Sequence, residues 1–264
     1  MTLAAYQEAI DWSVAEGVAL ALECDVHLTA DDQLVCLHDA ALGRTTDAVG
    51  PVAQWNLPEL RTLDFGSWNT PNPTAAQRAL VTLEELMGLV LAARLKGADV
   101  SLVIETKHPQ PCGLELEQRV CRLLETYGWD RPGAPVRLIT FSQPAAELLA
   151  RRLPLTERTL LVEGDLGQSA GGTLPAGIQV AGVHIGLLRT DPGFVARAAR
   201  CGNEVHAWTV NDWSDIAWCL ELGVTGLTSD YPDRVLEVLR RSSAPAGAPS
   251  GRTRVASTLA TSAA

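Results

Sequence analysis

The sequence predicts an α/β fold on a mostly parallel sheet, sized for a barrel. Three observations carry this. Strand-like apolar runs alternate with helical runs along most of the chain. One early pair of strand runs is joined too tightly for a parallel crossover, so it must be an antiparallel hairpin. The 264 residues, 47 % hydrophobic and 20 % charged, match one barrel-sized domain plus a tail.

The elements follow in order. Leu3, Tyr6, Ile10 and Val14 recur at helical spacing, and Gly17 stops that helix. Strand runs at 20–27 and 34–38 flank the polar turn Ala30-Asp31-Asp32-Gln33 and form the hairpin. A helix at 82–96 opens on Thr82 with Glu85 three residues on, a capping box. Strands are then expected at 101–107, 136–141, 158–162, 182–185, 204–210 and 226–228. Helices are expected at 113–127, 144–152, 192–200, 212–222 and 232–241. Counting the hairpin once gives seven parallel strands, at 20–27 and at the six later runs. A closed (β/α)₈ barrel needs one more. Because the chain opens on a helix, the first strand is the simplest one to be missing; an open seven-stranded sheet is the alternative. The barrel domain is assigned to 1–241. Residues 242–264, rich in Ser, Ala, Pro, Gly and Thr and without periodicity, are expected to be a disordered tail.

Charge and hydropathy remove whole classes of function. Lys plus Arg is 21 against 31 for Asp plus Glu, a net charge of −10 and a pI near 5.0. Phosphate backbones are bound by neutralising them, so nucleic acid is not an expected partner. No apolar run approaches the ~18 residues of a membrane span. The first residues have neither a basic nor an apolar leader segment, so a cytoplasmic protein is expected. The six cysteines form no C-x-x-C pair and are read as reduced thiols. The oligomeric state is left open.

Barrel chemistry sits at the carboxyl ends of strands, so the polar residues closing each apolar run are the candidates. Glu23 and Asp25 are two apart in Leu22-Glu23-Cys24-Asp25-Val26, which puts both carboxylates on one face. Like charges on a buried face call for a cation between them; on an exposed strand they would be surface groups. Glu105 and Lys107 repeat the device after Val103-Ile104, where a plain Glu–Lys ion pair is the alternative. Glu23, Asp25 and Glu105 together would make an oxygen-rich nest suited to Mg²⁺ or Ca²⁺. Lys107 would add a point charge for a phosphate oxygen. His38 closes the second hairpin strand and could serve as a general acid or base, although a histidine at a strand end is often structural. Trp208 near the end of 204–210 could wall a small polar substrate or belong to the core; if buried, its N–H needs a partner. His108, His184 and His206 are read as structural. His27 is undecided, since it continues the spacing of Glu23 and Asp25.

Taken together these segments resemble the glycerophosphodiester phosphodiesterases. The matching stretches are residues 23–31 (Glu-Cys-Asp-Val-His-Leu-Thr-Ala-Asp), Leu37-His38-Asp39, Arg44-Thr45-Thr46-Asp47, Leu57 to Leu63, Thr82 to Leu86, Ile104-Glu105-Thr106-Lys107, Ala207 to Asn211 and Thr228 to Pro232. They occur in family order over roughly residues 1 to 240. The resemblance implies a TIM (β/α)₈ barrel of phosphodiesterase type with its first strand missing from this chain. It implies metal-dependent hydrolysis of glycerophosphodiesters to sn-glycerol 3-phosphate and an alcohol, in glycerophospholipid metabolism. It implies that Glu23, Asp25 and Glu105 bind the divalent metal, that His38 is one of two catalytic histidines, that Lys107 holds phosphate, and that Trp208 lines the glycerol side. The family's first strand carries His-Arg-Gly followed by a Pro-Glu-Met-Thr type turn. No His-Arg pair occurs in this sequence, and Met1-Thr2 fits the end of that turn. The resemblance therefore predicts that the missing piece is the first strand and that the recorded start is an internal Met. A non-catalytic phosphate-ester-binding member, and a related phosphodiesterase acting on lysophospholipids, are the alternative functions.

Overall fold

Thr2 opens the first helix, α1 (Leu3–Glu16), by accepting a hydrogen bond from the Ala5 amide, and Gly17 closes it in the left-handed region at φ 65°. The computed structural model that shows this describes residues 1–110, 112–242 and 254–258, and the side chains of 254–258 are not part of that description. The chain divides into two compact units, Met1–Val136 and Arg137–Ala264.

In the first unit, β1 (Leu20–Leu28) runs antiparallel to β2 (Leu34–Cys36) and parallel to β3 (Val100–Thr106). The hairpin expected from its short connection is there. Nearly every β1 residue is buried, as in a strand covered on both faces. Leu22, Cys24 and Val26 fill one face, leaving the other to Glu23, Asp25 and His27. Between β2 and β3 lie two short helices, α2 (Leu57–Leu60) and α3 (Ala75–Arg78), and then α4 (Leu83–Leu95). The predicted capping box forms: Thr82 Oγ1 accepts from the Glu85 amide, and Glu85 Oε2 accepts from the Thr82 amide at 2.9 Å. A separate apolar cluster of Val35, Leu37, Leu42, Val52, Leu60, Phe65 and Leu80 pins down the long excursion after β2. The unit closes with α5 (Glu115–Thr126).

The second unit repeats strand and helix. Its order is β4 (Val136–Thr140), α6 (Gln143–Arg152), β5 (Glu157–Val162), β6 (Val180–His184), α7 (Ile185–Thr190), α8 (Gly193–Arg200), β7 (Glu204–Trp208), α9 (Trp213–Leu222), β8 (Gly226–Ser229) and α10 (Pro232–Ser242). Each strand from β4 to β8 pairs in parallel with the next. Ala181, Val183, Phe194, Val205, Ala207, Ile216, Leu227 and Val235 form a shared core between strands and helices. Of the stretch expected to be a tail, Arg254–Thr258 forms a strand, β9, parallel to β8 with Gly226 opposite Arg254. The rest of that stretch, 243–253 and 259–264, lies outside the described residues. No helix among the described residues is long and apolar enough to cross a membrane.

Candidate active site

Strand register assembles the first group. Asp25 on β1 lies opposite Glu105 on β3, so the side-chain alternation of both strands turns their carboxylates to the same face. Glu23 joins from two residues back on β1. Ligand atoms of Glu23, Asp25 and Glu105 all lie within 4.8 Å of one another, and all three residues are buried. Tyr6 of α1, fully buried, donates its hydroxyl hydrogen to the Glu23 main-chain oxygen at 3.1 Å and ties the helix to this strand.

Lys107, one residue beyond β3, points back into the carboxylates. Its Nζ lies 2.8 Å from Asp25 Oδ1 and 2.9 Å from Glu105 Oε1. The plain Glu–Lys pair that the sequence allowed is thus part of a larger cluster, in which one ammonium bridges Asp25 and Glu105 and Glu23 lies beside those two carboxylates. Burial, joined by the charge of Asp25, pushes the Glu105 carboxyl up to about 8 against the pull of Lys107. Burial also opposes charge on Lys107, but Asp25 and Glu105 outweigh it and hold the ammonium above its ordinary range. Three buried carboxylates with one ammonium leave negative charge in excess, and hard oxygen donors of this kind fit Mg²⁺ or Ca²⁺.

His38 follows β2. The Leu37 amide donates to the Asp25 carbonyl at 3.0 Å, so the chain that carries His38 is fastened beside the carboxylates. The His38 ring is half exposed, with Nδ1 2.7 Å from Asp39 Oδ1. Arg44 binds the other side of Asp39 and, ahead of any effect of burial, holds its carboxyl down at about 2.

His27, undecided from the sequence, is buried on the face of Glu23 and Asp25. Gln110 Nε2 donates to the Lys107 carbonyl at 2.8 Å and lies 2.9 Å from His27 Nδ1. His27 Nδ1 is therefore the acceptor, and Nε2 carries the hydrogen toward the His38 carbonyl, 3.3 Å away. Burial lowers the affinity of His27 for a second proton, which agrees with this neutral form. One amide and one imidazole so link the ends of β1 and β3 to the main chain of His38. Gln110 gave no signal in the sequence, because its role depends on a loop that brings it back across 83 residues.

In the second unit, Trp208 ends β7. Its indole N–H has the partner it needs, the Gly182 carbonyl at 2.9 Å. Its ring meets Phe141 and His184 edge-on, with centroids 5.4 and 5.0 Å apart. All three aromatics lie at carboxyl ends of strands, those of β4, β6 and β7. Asn211 accepts from the Asp230 amide and donates to its carboxylate, fixing the turn after β8. The histidines read as structural have such partners: His108 Nε2 lies 2.7 Å from Glu117, and His184 Nδ1 accepts from the Gly186 amide. His206 is buried beside Arg137 and Glu204.

The chain is similar to known proteins over most of its length. The glycerophosphoryl diester phosphodiesterase family matches residues 1–234. A probable glycerophosphodiester phosphodiesterase 1 of Mycobacterium tuberculosis is 33% identical over 240 residues, covering 88% of this chain and 85% of that protein. A glycerophosphodiester phosphodiesterase of Bacillus subtilis is 29% identical over 228 residues, covering 80% of this chain and 74% of that one. Among solved structures, an Oleispira antarctica phosphodiesterase in complex with the product sn-glycerol-3-phosphate has the same fold, with TM-score 0.77, 24% identity and 90% coverage of each chain. The α/β barrel class read from the sequence stands.

Proposed function

Because the chain belongs to the glycerophosphoryl diester phosphodiesterase family, a family of enzymes, we propose that it hydrolyses glycerophosphodiesters to sn-glycerol 3-phosphate and an alcohol. The observation that carries this reading is the buried cluster of Glu23, Asp25 and Glu105, with Lys107 bridging the last two. The product named for the Oleispira antarctica structure supports the choice of a small glycerophosphodiester as substrate.

In this reading Glu23, Asp25 and Glu105 hold a divalent cation, Mg²⁺ or Ca²⁺. When bound, the ion supplies Lewis-acid stabilisation of the charge that grows on the phosphoryl oxygens. Lys107 adds a fixed positive charge for the same oxygens, held in place by its contacts to Asp25 and Glu105. His38 moves a proton at its Nε2, the ring nitrogen turned away from Asp39. Gln110 and His27 keep the main chain of His38 in register with the end of β3. For Trp208 we propose a substrate-lining role, supported by the family resemblance and by its aromatic neighbours at strand ends. A glycerophospholipid setting and a cytoplasmic location belong to the same proposal. For the second, the support is six cysteines without a disulfide, four of them buried.

The test is release of glycerol 3-phosphate from glycerophosphocholine, with Mg²⁺, with Ca²⁺ and after chelation. Metal-dependent release that disappears in Glu105→Ala and falls about 10²-fold or more in His38→Ala supports the reading. Full activity in Glu105→Ala overturns the metal assignment. Binding of the diester without turnover favours a non-catalytic phosphate-ester binder. Faster turnover of lysophosphatidylcholine would move the substrate class to lysophospholipids.

A further inference from the structure

His38 belongs to a chain of three side chains, of which the reading above uses only the first. Asp39 Oδ1 lies 2.7 Å from His38 Nδ1. Arg44 grips the same carboxylate twice, Nε to Oδ2 at 2.6 Å and Nη2 to Oδ1 at 3.1 Å. A guanidinium fork on a carboxylate fixes direction as well as distance, which a single exposed ion pair does not.

The fork itself is anchored. Arg44 ends a short 3₁₀ turn, Leu42–Arg44, whose Leu42 is buried in the apolar cluster beside Val35 and Leu37. The Leu42 amide donates to the Gly50 carbonyl at 3.0 Å, and the Thr46 hydroxyl donates to the Leu42 carbonyl at 2.9 Å. The guanidinium also lies over the Trp68 ring, 5.7 Å from its centroid. Trp68 is held in turn through its indole N–H, which donates to the Phe65 carbonyl.

This decides where the imidazole proton sits. With Arg44 against it, the Asp39 carboxyl stays ionised down to about 2. An ionised carboxylate only accepts, so the hydrogen shared with His38 belongs to Nδ1. In the neutral ring, Nε2 then carries the lone pair. Lacking Asp39, a half-exposed ring would turn freely and exchange tautomers.

We propose that Asp39 and Arg44 are positioning residues for His38: Asp39 fixes the ring proton on Nδ1, and Arg44 fixes the Asp39 carboxylate, so that Nε2 is the atom presented for proton transfer. The proposal rests on the catalytic reading of His38. The fork makes a further demand. Arg44→Lys cannot rescue, because one ammonium cannot hold both carboxylate oxygens in that geometry.

The experiment uses the full chain with Mg²⁺ and glycerophosphocholine. Arg44→Ala, Arg44→Lys and Asp39→Asn are made alone and on a His38→Ala background. We expect each alone to lower kcat about 10-fold or more with KM little changed, since a wrong tautomer removes a transition-state contact and not substrate binding. On His38→Ala none should lower kcat further, because the lost interaction runs through that ring. Independently, ¹⁵N–¹H correlation of the imidazoles at pH 9 should show His38 as the Nδ1–H tautomer in the wild type, with that signal lost in Arg44→Ala and absent in His38→Ala. Calorimetric Mg²⁺ affinity should be the same in wild type and Arg44→Ala. Additive losses, or an Nε2–H tautomer in the wild type, overturn the proposal. If His38→Ala alone keeps full turnover, the catalytic reading of His38 has failed and the positioning role falls with it. If His38→Ala loses turnover while Arg44→Ala keeps it, only the positioning role has failed.

Discussion

Replacing Lys107 by methionine keeps an unbranched apolar stem, one atom shorter, and removes the ammonium between Asp25 and Glu105. At an effective dielectric of about 20, the contact to Asp25 at 2.8 Å is worth about 6 kcal/mol of attraction, and the one to Glu105 at 2.9 Å less, because its carboxyl is pushed up to about 8. Most of that is offset by the cost of burying the charge, and a carboxyl left without its partner takes up a proton instead of staying ionised. Breaking a buried pair from one side therefore costs about 3–5 kcal/mol net. For a chain of this length that lowers Tm by about 6–20 °C. A divalent cation should return much of the loss, because it replaces one positive charge among the same three carboxylates. At about 100 times its Kd it contributes about 2.7 kcal/mol. The assay is thermal unfolding followed by dye fluorescence, with Mg²⁺ or Ca²⁺ titrated against a chelator. Lys107→Met should show a larger metal-induced rise in Tm than the wild type, whose ammonium repels the ion. Adding Glu105→Gln to Lys107→Met should abolish most of that rise. Equal rises with and without Glu105, or none in Lys107→Met, would refute the assignment of these carboxylates to a cation.

Three further outcomes are expected. Tyr6→Phe leaves the buried Glu23 carbonyl without the phenolic hydrogen and should cost about 1–2 kcal/mol in urea unfolding; an unchanged midpoint would show that the contact contributes nothing. Gly226→Ala drives a Cβ to 2.5 Å from the buried His206 ring and should cost about 1–3 kcal/mol by overpacking, read by the same method. His206 is held below its ordinary value of 6.5 by burial, with Glu204 opposing and Arg137 adding. As pH falls through that value the unfolded chain takes up a proton that the native chain refuses, so native stability declines on the acid side. His206→Gln should show a shallower decline between pH 7 and pH 5, and an identical slope would count against the burial argument.

Much of the fold was legible because its signals are local. Apolar runs of strand length, helical spacing and Gly17, Thr82 and Glu85 as stops and caps act within a few residues of where they stand. Accordingly β1, α1, α4, α6, α8, α9 and α10 fall within a few residues of their expected limits. Elements with weaker local signals escaped. The helix α7 follows β6 directly without a turn residue, and α2 and α3 are single turns inside a long connection. Strand β9 lies in a stretch whose composition carries no strand pattern, and its pairing with β8 is non-local.

The site divides in the same way. The sequence by itself determined that Glu23 and Asp25 share a face, and that Glu105 and Lys107 share one, because side chains alternate along a strand whatever surrounds it. It also determined the type of ligand such oxygens suit. Only the tertiary structure decided that the two pairs meet. That follows from the register placing Asp25 opposite Glu105, and register is set by hydrogen bonds between strands about eighty residues apart. Only the tertiary structure gave His38 its supports. Asp39, Arg44 and Gln110 are polar residues of loops and turns, where no period constrains a side chain, and their partners are chosen by buried anchors such as Leu42 that bring the loops together.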